Sequence, residues 1–256
     1  MPWRDTKDPY AILVSEVMLQ QTQVSRVLKY YEPFLQKFPD FQSLAGAKIE
    51  DVLRVWQGLG YNRRALSLRK LAGIVMEQHG GRLPRNRKEL ELLPGIGKGT
   101  AGALLAFAFN VPEPFIETNI RRVFIRFFFP RRKKIDDAEI MKMVARAIDH
   151  KNPREWYWAL MDYGAMLGGQ AMKKEGKNSN ARSVHYKKQS PFSGSDRELR
   201  GKILRILLSR KEITVDFLVL ETKKPHKHLE KVIAGLERDG FCSVGNGPKG
   251  KIRLSR

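Results

Sequence analysis

Glu16 is the first residue in this chain whose setting suits it to chemistry. It sits in the run Ile12-Leu13-Val14-Ser15-Glu16-Val17-Met18-Leu19, a pattern that reads as an apolar helix. Burial penalises the charged form of a carboxyl and raises its pKa. A carboxylic acid that keeps its proton near neutral pH is equipped to act as a general acid. Taken alone, such a Glu is more often a solvated or paired helix residue, so its neighbours decide. A second segment, Leu93-Pro94-Gly95-Ile96-Gly97-Lys98-Gly99-Thr100-Ala101, falls between two helical patterns. Two glycines one residue apart let the backbone turn tightly and approach a ligand without Cβ clashes. The next helix begins near Lys98 or Gly99, and a helix N-terminus favours an anion. A phosphate of a nucleic-acid backbone fits that slot, with Lys98 adding charge. An ordinary helix-to-helix turn is the alternative for Pro-Gly-x-Gly by itself.

The elements that must position these residues are helices. From about 11 to 168 the apolar residues recur at helical spacing, with amphipathic helices expected over 11–20, 49–56, 65–78 and 140–148. Breaks are expected at Pro33, Pro39, Gly58-Leu59-Gly60, Gly80-Gly81, Pro94-Gly95, Pro112-Glu113-Pro114 and Pro130. Residues 169–194 are rich in Gly, Ser and Asn and carry Lys173, Lys174, Lys177, Arg182, Lys187 and Lys188, the texture of a basic linker or flexible loop. Beyond it, helices are expected over 196–208 (capped by Ser195), 214–221 and 225–238. Strands over 241–244 and 251–254 follow, joined by a turn at 245–250. Three short helices and a hairpin are the order of a winged helix. The fold class is therefore mainly α. A helical domain over 1–168 is followed by a basic linker over 169–194 and a small winged-helix-like domain over 195–256.

Composition limits the partners. Lys and Arg outnumber Asp and Glu by 48 to 27, a formal charge of +21, and a polyanion is the simplest reason: nucleic acid or an acidic membrane surface. No run of 18 apolar residues exists, so no membrane span is expected, and Met1-Pro2-Trp3-Arg4 has no signal-peptide core. The single cysteine, Cys242, leaves neither an intrachain disulfide nor a four-cysteine metal or iron–sulfur site. Together these features point to a soluble intracellular protein, expected in the cytoplasm with the nucleoid and as a monomer. Lys223, Lys224, His226, Lys227, His228 and Lys231 crowd the start of the third C-terminal helix, and Lys249, Lys251 and Arg253 lie on the hairpin. Two basic elements on one small domain favour phosphate contact over a merely solvated face. The two histidines lack the cysteine and carboxylate company of a metal site. Pro130-Arg131-Arg132-Lys133-Lys134 is a further basic loop.

Leu93-Pro94-Gly95-Ile96-Gly97 resembles the helix-hairpin-helix signature of base-excision DNA glycosylases such as endonuclease III. Further pieces resemble the MutY-type adenine glycosylases. They are Pro2-Trp3-Arg4, Asp8-Pro9-Tyr10, Ser15-Glu16-Val17-Met18-Leu19-Gln20-Gln21-Thr22, Trp56-Gln57-Gly58-Leu59-Gly60-Tyr61, Thr100-Ala101-Gly102-Ala103 and Met161-Asp162-Tyr163-Gly164-Ala165-Met166. The resemblance covers the first two-thirds of the chain and implies a two-lobed domain. It makes Glu16 the acid that protonates adenine at N7. It places Glu117, in Pro114-Phe115-Ile116-Glu117-Thr118-Asn119, where the family carries an Asp that stabilises the cationic sugar or activates water. Otherwise Glu117 caps the helix near Asn119 or pairs with Arg121 or Arg122. Pro94, Gly95, Gly97, Lys98 and Thr100 would grip DNA phosphate, with Gln20, Gln21 and Tyr61 beside the lesion and Lys224, Lys227 and Lys231 adding contacts.

Four departures shape the expected function. Gly99 stands where bifunctional relatives carry a Schiff-base Lys. Lys98 is one position off, about 100° around a helix, so a glycosylase without efficient lyase activity is expected. The first cysteine of the family's iron–sulfur cluster is replaced around Gly168 and the other three are absent, so no cofactor is expected. Asn62 replaces a Tyr that helps separate bases. A winged-helix-like end replaces the usual Nudix-like domain. The expected activity is hydrolysis of the N-glycosidic bond of adenine opposite 8-oxoguanine or G in double-stranded DNA. The alternatives are a thymine or uracil mismatch glycosylase on the same scaffold and a non-catalytic winged-helix DNA-binding protein.

Overall fold

In this computed structural model residues 1–174, 178–245 and 250–255 are described, with 170–174 known by backbone alone. Residues 246–249 of the expected hairpin turn, Lys249 among them, and Lys177 of the expected linker lie outside the described residues. The chain forms two compact units, each from two stretches of sequence: residues 1–16 with 83–189, and residues 17–82 with 190–256.

The first unit begins with α1 (Pro9–Leu19), which continues beyond residue 16 into the second. Asp8 caps it, its carboxylate accepting from the N–H groups of Tyr10 (3.1 Å) and Ala11 (3.2 Å), and Pro9 fits a first turn that needs no N–H. The rest of the unit's helices follow residue 83. They are α6 (Arg87–Leu92), α7 (Lys98–Phe109), α8 (Thr118–Phe128), α9 (Asp137–Ala147) and α10 (Pro153–Lys174). The numbers α2 to α5 fall to the second unit. Ile120, Val123, Phe124 and Ile125 form the buried stripe of α8, the spacing that pins a helix to a core. Helix α7 is apolar on every side and correspondingly buried from Ala101 to Ala108. Two glycines set the closest approaches. A Cβ on Gly102 would stand 2.4 Å from Phe115 Cβ, and one on Gly164 would stand 2.4 Å from the Asn119 carbonyl oxygen. These contacts let α7 and α10 approach the segment that leads into α8.

The second unit contains α2 (Val24–Lys37), α3 (Phe41–Ala45), α4 (Ile49–Trp56) and α5 (Arg63–Gln78). Its core is built on Phe34 and Trp56, which meet edge to face at 5.7 Å. The expected break at Pro33 does not occur: α2 runs through it to Lys37. Burial of Val27, Tyr31 and Phe34 along one stripe outweighs the hydrogen bond that an interior proline removes. The α4–α5 loop does break at its glycines. Gly58 takes φ 106°, and a Cβ there would lie 2.0 Å from the Tyr30 hydroxyl.

The C-terminal stretch of this unit has α11 (Asp196–Ser209), α12 (Val215–Thr222), α13 (His226–Arg238), β1 (Cys242–Val244) and β2 (Ile252–Leu254). The strands are antiparallel, with Cys242 opposite Leu254 and Val244 opposite Ile252. Ile213 adds a bridge to Ile252. Ser195 caps α11 as its sequence suggests, accepting from the Glu198 N–H.

Residues 169–194 do not behave throughout as a linker. Helix α10 continues to Lys174. A 3₁₀ turn follows at Ser179–Arg182, and Asn180 and Ser183 are buried. Polar side chains hold this segment. Asn180 Nδ2 donates to the Thr118 carbonyl (3.0 Å), and Arg182 donates to the carbonyls of Ile125 (3.0 Å), Phe129 (2.6 Å) and Pro130 (3.0 Å). Composition missed this because Gly, Ser and Asn register as loop formers even where their hydrogen bonds are satisfied. No helix among the described residues is long and apolar enough to cross a membrane.

Filling either close approach should be costly. Gly164→Ala and Gly102→Ala are each expected to lower unfolding free energy by about 1–3 kcal/mol, the range for overpacking. Urea denaturation would measure this, and the open position Gly73, where a Cβ meets nothing within 4 Å, serves as the control.

Candidate active site

Glu117 occupies the N-cap of α8. Its Oε1 accepts from the backbone N–H groups of Asn119 (2.6 Å) and Ile120 (2.7 Å), the groups that the first turn of a helix leaves without intrahelical partners. Oε2 lies 3.4 Å from the Asn119 side-chain amide. Asn119 is itself held through Oδ1 by Arg122 Nη1 (2.7 Å), which also donates to the Gly164 carbonyl (2.6 Å). The capping alternative is therefore what the geometry shows. Pairing with Arg121 is not: Arg121 is bound to Asp137. Capping does not consume the charge of Glu117. Burial, the largest influence, leaves its pKa raised, against the opposing pull of the two N–H groups and then of Arg122 and Arg121.

Glu16 is in a different state. It lies on α1 between buried Ser15 and Val17. Burial, followed by the negative charge of Glu117, pushes its pKa from 4.5 up to about 8, against the opposing pull of Arg4. Arg4 is fixed by a two-pronged pair with Asp162 (2.7 Å for each bond) and by its guanidinium over the Trp158 ring at 5.3 Å. Two interacting carboxyls whose surroundings push their pKa values apart divide acid from carboxylate. Both carboxyls are raised, but the one that accepts backbone N–H bonds is the better anion, so of the two Glu16 is better placed to keep the proton.

The hairpin lies between α6 and α7. Gly95 adopts φ 83°. Gly97 is the N-cap of α7 with no side-chain cap, and a Cβ there would meet nothing within 4 Å. Pro94 is half-buried, Lys98 is exposed, and Thr100 lies in the first turn. Gly99 sits against the Ile116 carbonyl, with a Cβ position 3.4 Å away, which ties the start of α7 to the residue preceding Glu117. Arg87 supports both strands of this junction, bonding to Glu91 (2.7 Å), Glu113 and the carbonyls of Pro114 (3.2 Å) and Lys98 (3.3 Å). Tyr157 fixes the extended segment before α8: its hydroxyl donates to the Glu113 carbonyl (2.9 Å) and accepts from the Phe115 N–H (3.2 Å).

The remaining candidates lie in the second unit. Gln20 and Gln21 follow α1 and Tyr61 closes the α4–α5 loop, with Gln21 at φ 54° and Tyr61 at φ 48°. A buried guanidinium, Arg64, joins these loops. Its Nη1 donates to the carbonyls of Val17 (2.9 Å), Met18 (2.7 Å) and Gln20 (2.6 Å), and its Nη2 donates to the Gly60 carbonyl and the Thr22 hydroxyl (3.0 Å each). Burial lowers its pKa to about 10. Sequence reading passed over Arg64. Its one signal is a charged residue in step with the apolar stripe of α5. Arg4, Asp162, Asn119, Arg122 and Arg182 were also missed as positioning groups. Lys224 precedes α13, and Lys227 and Lys231 are exposed along it. On the hairpin, Lys251 and Arg253 are both bound by Glu212, so their charge is partly spent within the module. His226 and His228 pair with carboxylates, the latter with Asp196 at 2.7 Å.

An iron–sulfur cluster does not fit the residues present. A Cβ on Gly168 would stand 2.5 Å from Arg122 Nη1, Asn180 and Arg182 serve as backbone clasps, and the chain's only cysteine, Cys242, lies on β1. One cysteine cannot supply four thiolates.

The family described as HhH-GPD superfamily base excision DNA repair protein matches residues 14–149. Among curated proteins, the chain is similar to the adenine DNA glycosylase of Buchnera aphidicola subsp. Baizongia pistaciae, at 38% identity over 65% of this chain and 48% of that protein. It is similar to the human adenine DNA glycosylase at 37% identity, over 65% of this chain and 33% of that one. The adenine DNA glycosylase of Mycobacterium tuberculosis is 31% identical over 91% of this chain and 84% of its own length. The chain thus spans about half the length of the Buchnera relative. Among solved structures, a thermostable thymine-DNA glycosylase superposes with TM-score 0.59 at 30% identity, over 65% of this chain and 78% of that one. A trapped endonuclease III–DNA covalent intermediate gives 0.55 at 25% identity, over 72% and 78%. A family match spanning more than half the residues means that the chain belongs to the HhH-GPD superfamily of base excision DNA repair proteins.

Proposed function

We propose that this protein excises adenine mispaired with 8-oxoguanine or G in double-stranded DNA, hydrolysing the N-glycosidic bond and leaving an abasic site. The observation that carries the reading is the pair of interacting buried carboxyls, with Glu16 raised to about 8 by burial and by Glu117, and Glu117 held by two backbone N–H groups. The adenine glycosylases among its relatives support the choice of base. Glu16 gives its proton to N7 of an extruded adenine. The C1′–N9 bond breaks with its electron pair leaving on the base, which departs neutral, and the sugar becomes an oxocarbenium cation. The negative charge of Glu117 stabilises that cation. Water adds at C1′ and gives up a proton to a carboxylate. Extrusion is easier at a mispair, which contributes to selectivity. Gly95, Gly97, Lys98 and Thr100 hold a backbone phosphate at the N-terminus of α7, and Lys224, Lys227 and Lys231 of a winged-helix-like C-terminal module add phosphate contacts. Gly99 offers no amine, so strand cleavage requires alkali. The protein works on DNA as a monomer and without a metal cofactor.

The likeness to a thymine-DNA glycosylase structure favours one second reading, excision of T or U opposite G. A single-turnover assay on duplexes with A opposite 8-oxoguanine, A opposite G, T opposite G and U opposite G separates the two. Alkali-dependent cleavage at A is expected, with Glu16→Gln slower by about 10²–10⁴; cleavage confined to T or U would replace adenine as the substrate.

The pH dependence follows in sign from the raised pKa. The acid form of Glu16 is present below about 8, so the excision rate should hold at neutral pH and fall as pH rises through 8. Stability responds over a wider and lower window. Between 4.5, the ordinary value, and about 8, the unfolded chain ionises Glu16 and the folded protein keeps the proton, so stability is lost as pH rises. Thermal melts should therefore show Glu16→Gln more stable than the parent at pH 9, with the gap closing toward pH 5.

A further inference from the structure

The C-terminal module has no catalytic group, yet it grips a loop whose backbone is strained. Tyr61 stands at φ 48° and Gln21 at φ 54°. Non-glycine residues persist there only where their surroundings over-determine them, and such residues cluster at functional sites. Arg64 supplies one constraint from within the helical part of the unit. The C-terminal stretch supplies the other. Arg197, half-buried on the first turn of α11, donates through Nη1 to the Tyr61 hydroxyl at 2.8 Å, and its guanidinium lies 5.8 Å from the centre of the Tyr61 ring. The other arm, Nη2, is anchored to the Ser190 carbonyl at 2.6 Å. Two further contacts fasten the same region. Asp239 accepts from Arg63, two residues beyond Tyr61, at 2.7 Å, and from Arg200 of α11. Arg54 of α4 donates to the Leu208 carbonyl at 2.8 Å. Together these contacts span both ends of the α4–α5 loop.

We infer that the C-terminal module takes part in base excision by holding the Tyr61 loop in its strained form, with Arg197 as the positioning residue for the step that parts the mispaired base from its stack. The inference rests on the proposed excision of a mispaired base. An Arg suits the task because its planar fork can stack on the ring and bond the hydroxyl together, which a Lys ammonium cannot reproduce. Insertion of a side chain between bases requires a fixed wedge, since a loop that must be ordered on binding adds that entropic cost to the cost of unstacking.

The test uses the full chain and a duplex with A opposite 8-oxoguanine, in which 2-aminopurine flanks the mispaired A. Stopped-flow fluorescence reads unstacking, and quenched reactions read excision in the same samples. Arg197→Ala is expected to slow unstacking about tenfold, the loss of one charged hydrogen bond with a ring contact, at a melting temperature near that of the parent. Arg197→Lys should recover little of the rate. Tyr61→Phe, which keeps the ring and loses the hydroxyl, should show a smaller defect that is not additive with Arg197→Ala. Arg205→Ala, at an exposed position of α11, should leave the unstacking rate unchanged. Unstacking by Arg197→Ala at the parental rate, or full rescue by Arg197→Lys, would overturn the inference. If Arg197→Ala unfolds, the Tyr61→Phe and Arg197→Lys rates decide alone. Absence of excision by the parent on every mispair would instead count against the proposed function, so the two failures are distinguishable.

Discussion

Glu117 caps a helix, and the chemistry of the first unit depends on that bond pair. The two N–H groups at the start of α8 favour the charged form of its carboxyl, against a burial that leaves the pKa raised. That charge, added to desolvation, keeps the proton on Glu16. The same cap fixes the position of the charge, because the helix that supplies the N–H groups is pinned by its own buried stripe. A glutamate in place of the shorter aspartate of the family's pattern can still reach back to its own helix. The extra methylene adds reach without removing the anchoring donors.

Much of this was legible from residue types. The amphipathic helices, the glycine hairpin, the capping serine at 195 and the embedded Glu16 are all local features, set by periodicity, by backbone conformations that favour glycine, and by a hydroxyl that reaches its own helix. The helix through Pro33 and the clasp around Asn180 and Arg182 were not legible. In both cases contacts from residues distant in sequence override a local preference. Arg64 was hidden for a related reason. A charged side chain in a buried stripe reads as an error in the pattern until the carbonyls that receive it are known, and those come from two separate stretches of chain, the end of α1 and the α4–α5 loop. The pKa of Glu16 was foreseen in direction alone, since the contribution of Glu117 comes from a residue about a hundred positions away.

Around α8 the protein substitutes amides and guanidinium for ligands. Thr118 and the carbonyls at the helix's far end receive Asn180 and Arg182, and the ring-free face of Gly168 lets Arg122 lie close to α10. A clasp built from hydrogen bonds requires neither thiolates nor metal loading. It gains its strength from satisfying carbonyls that a helix C-terminus would otherwise leave to water.

The second unit is assembled from residues 17–82 and 190–256, which residues 83–189 separate in the sequence. Its clasps, Arg54 to Leu208 and Arg63 to Asp239, therefore join partners that leave the ribosome far apart in time. Helices α2 to α5 must wait, with the face that receives α11 bare, until the later segment is translated. Loop closure over such a separation is slow compared with local helix formation. During that interval the basic chain offers an apolar surface to other molecules. The pace of synthesis thus sets how long that surface stays uncovered.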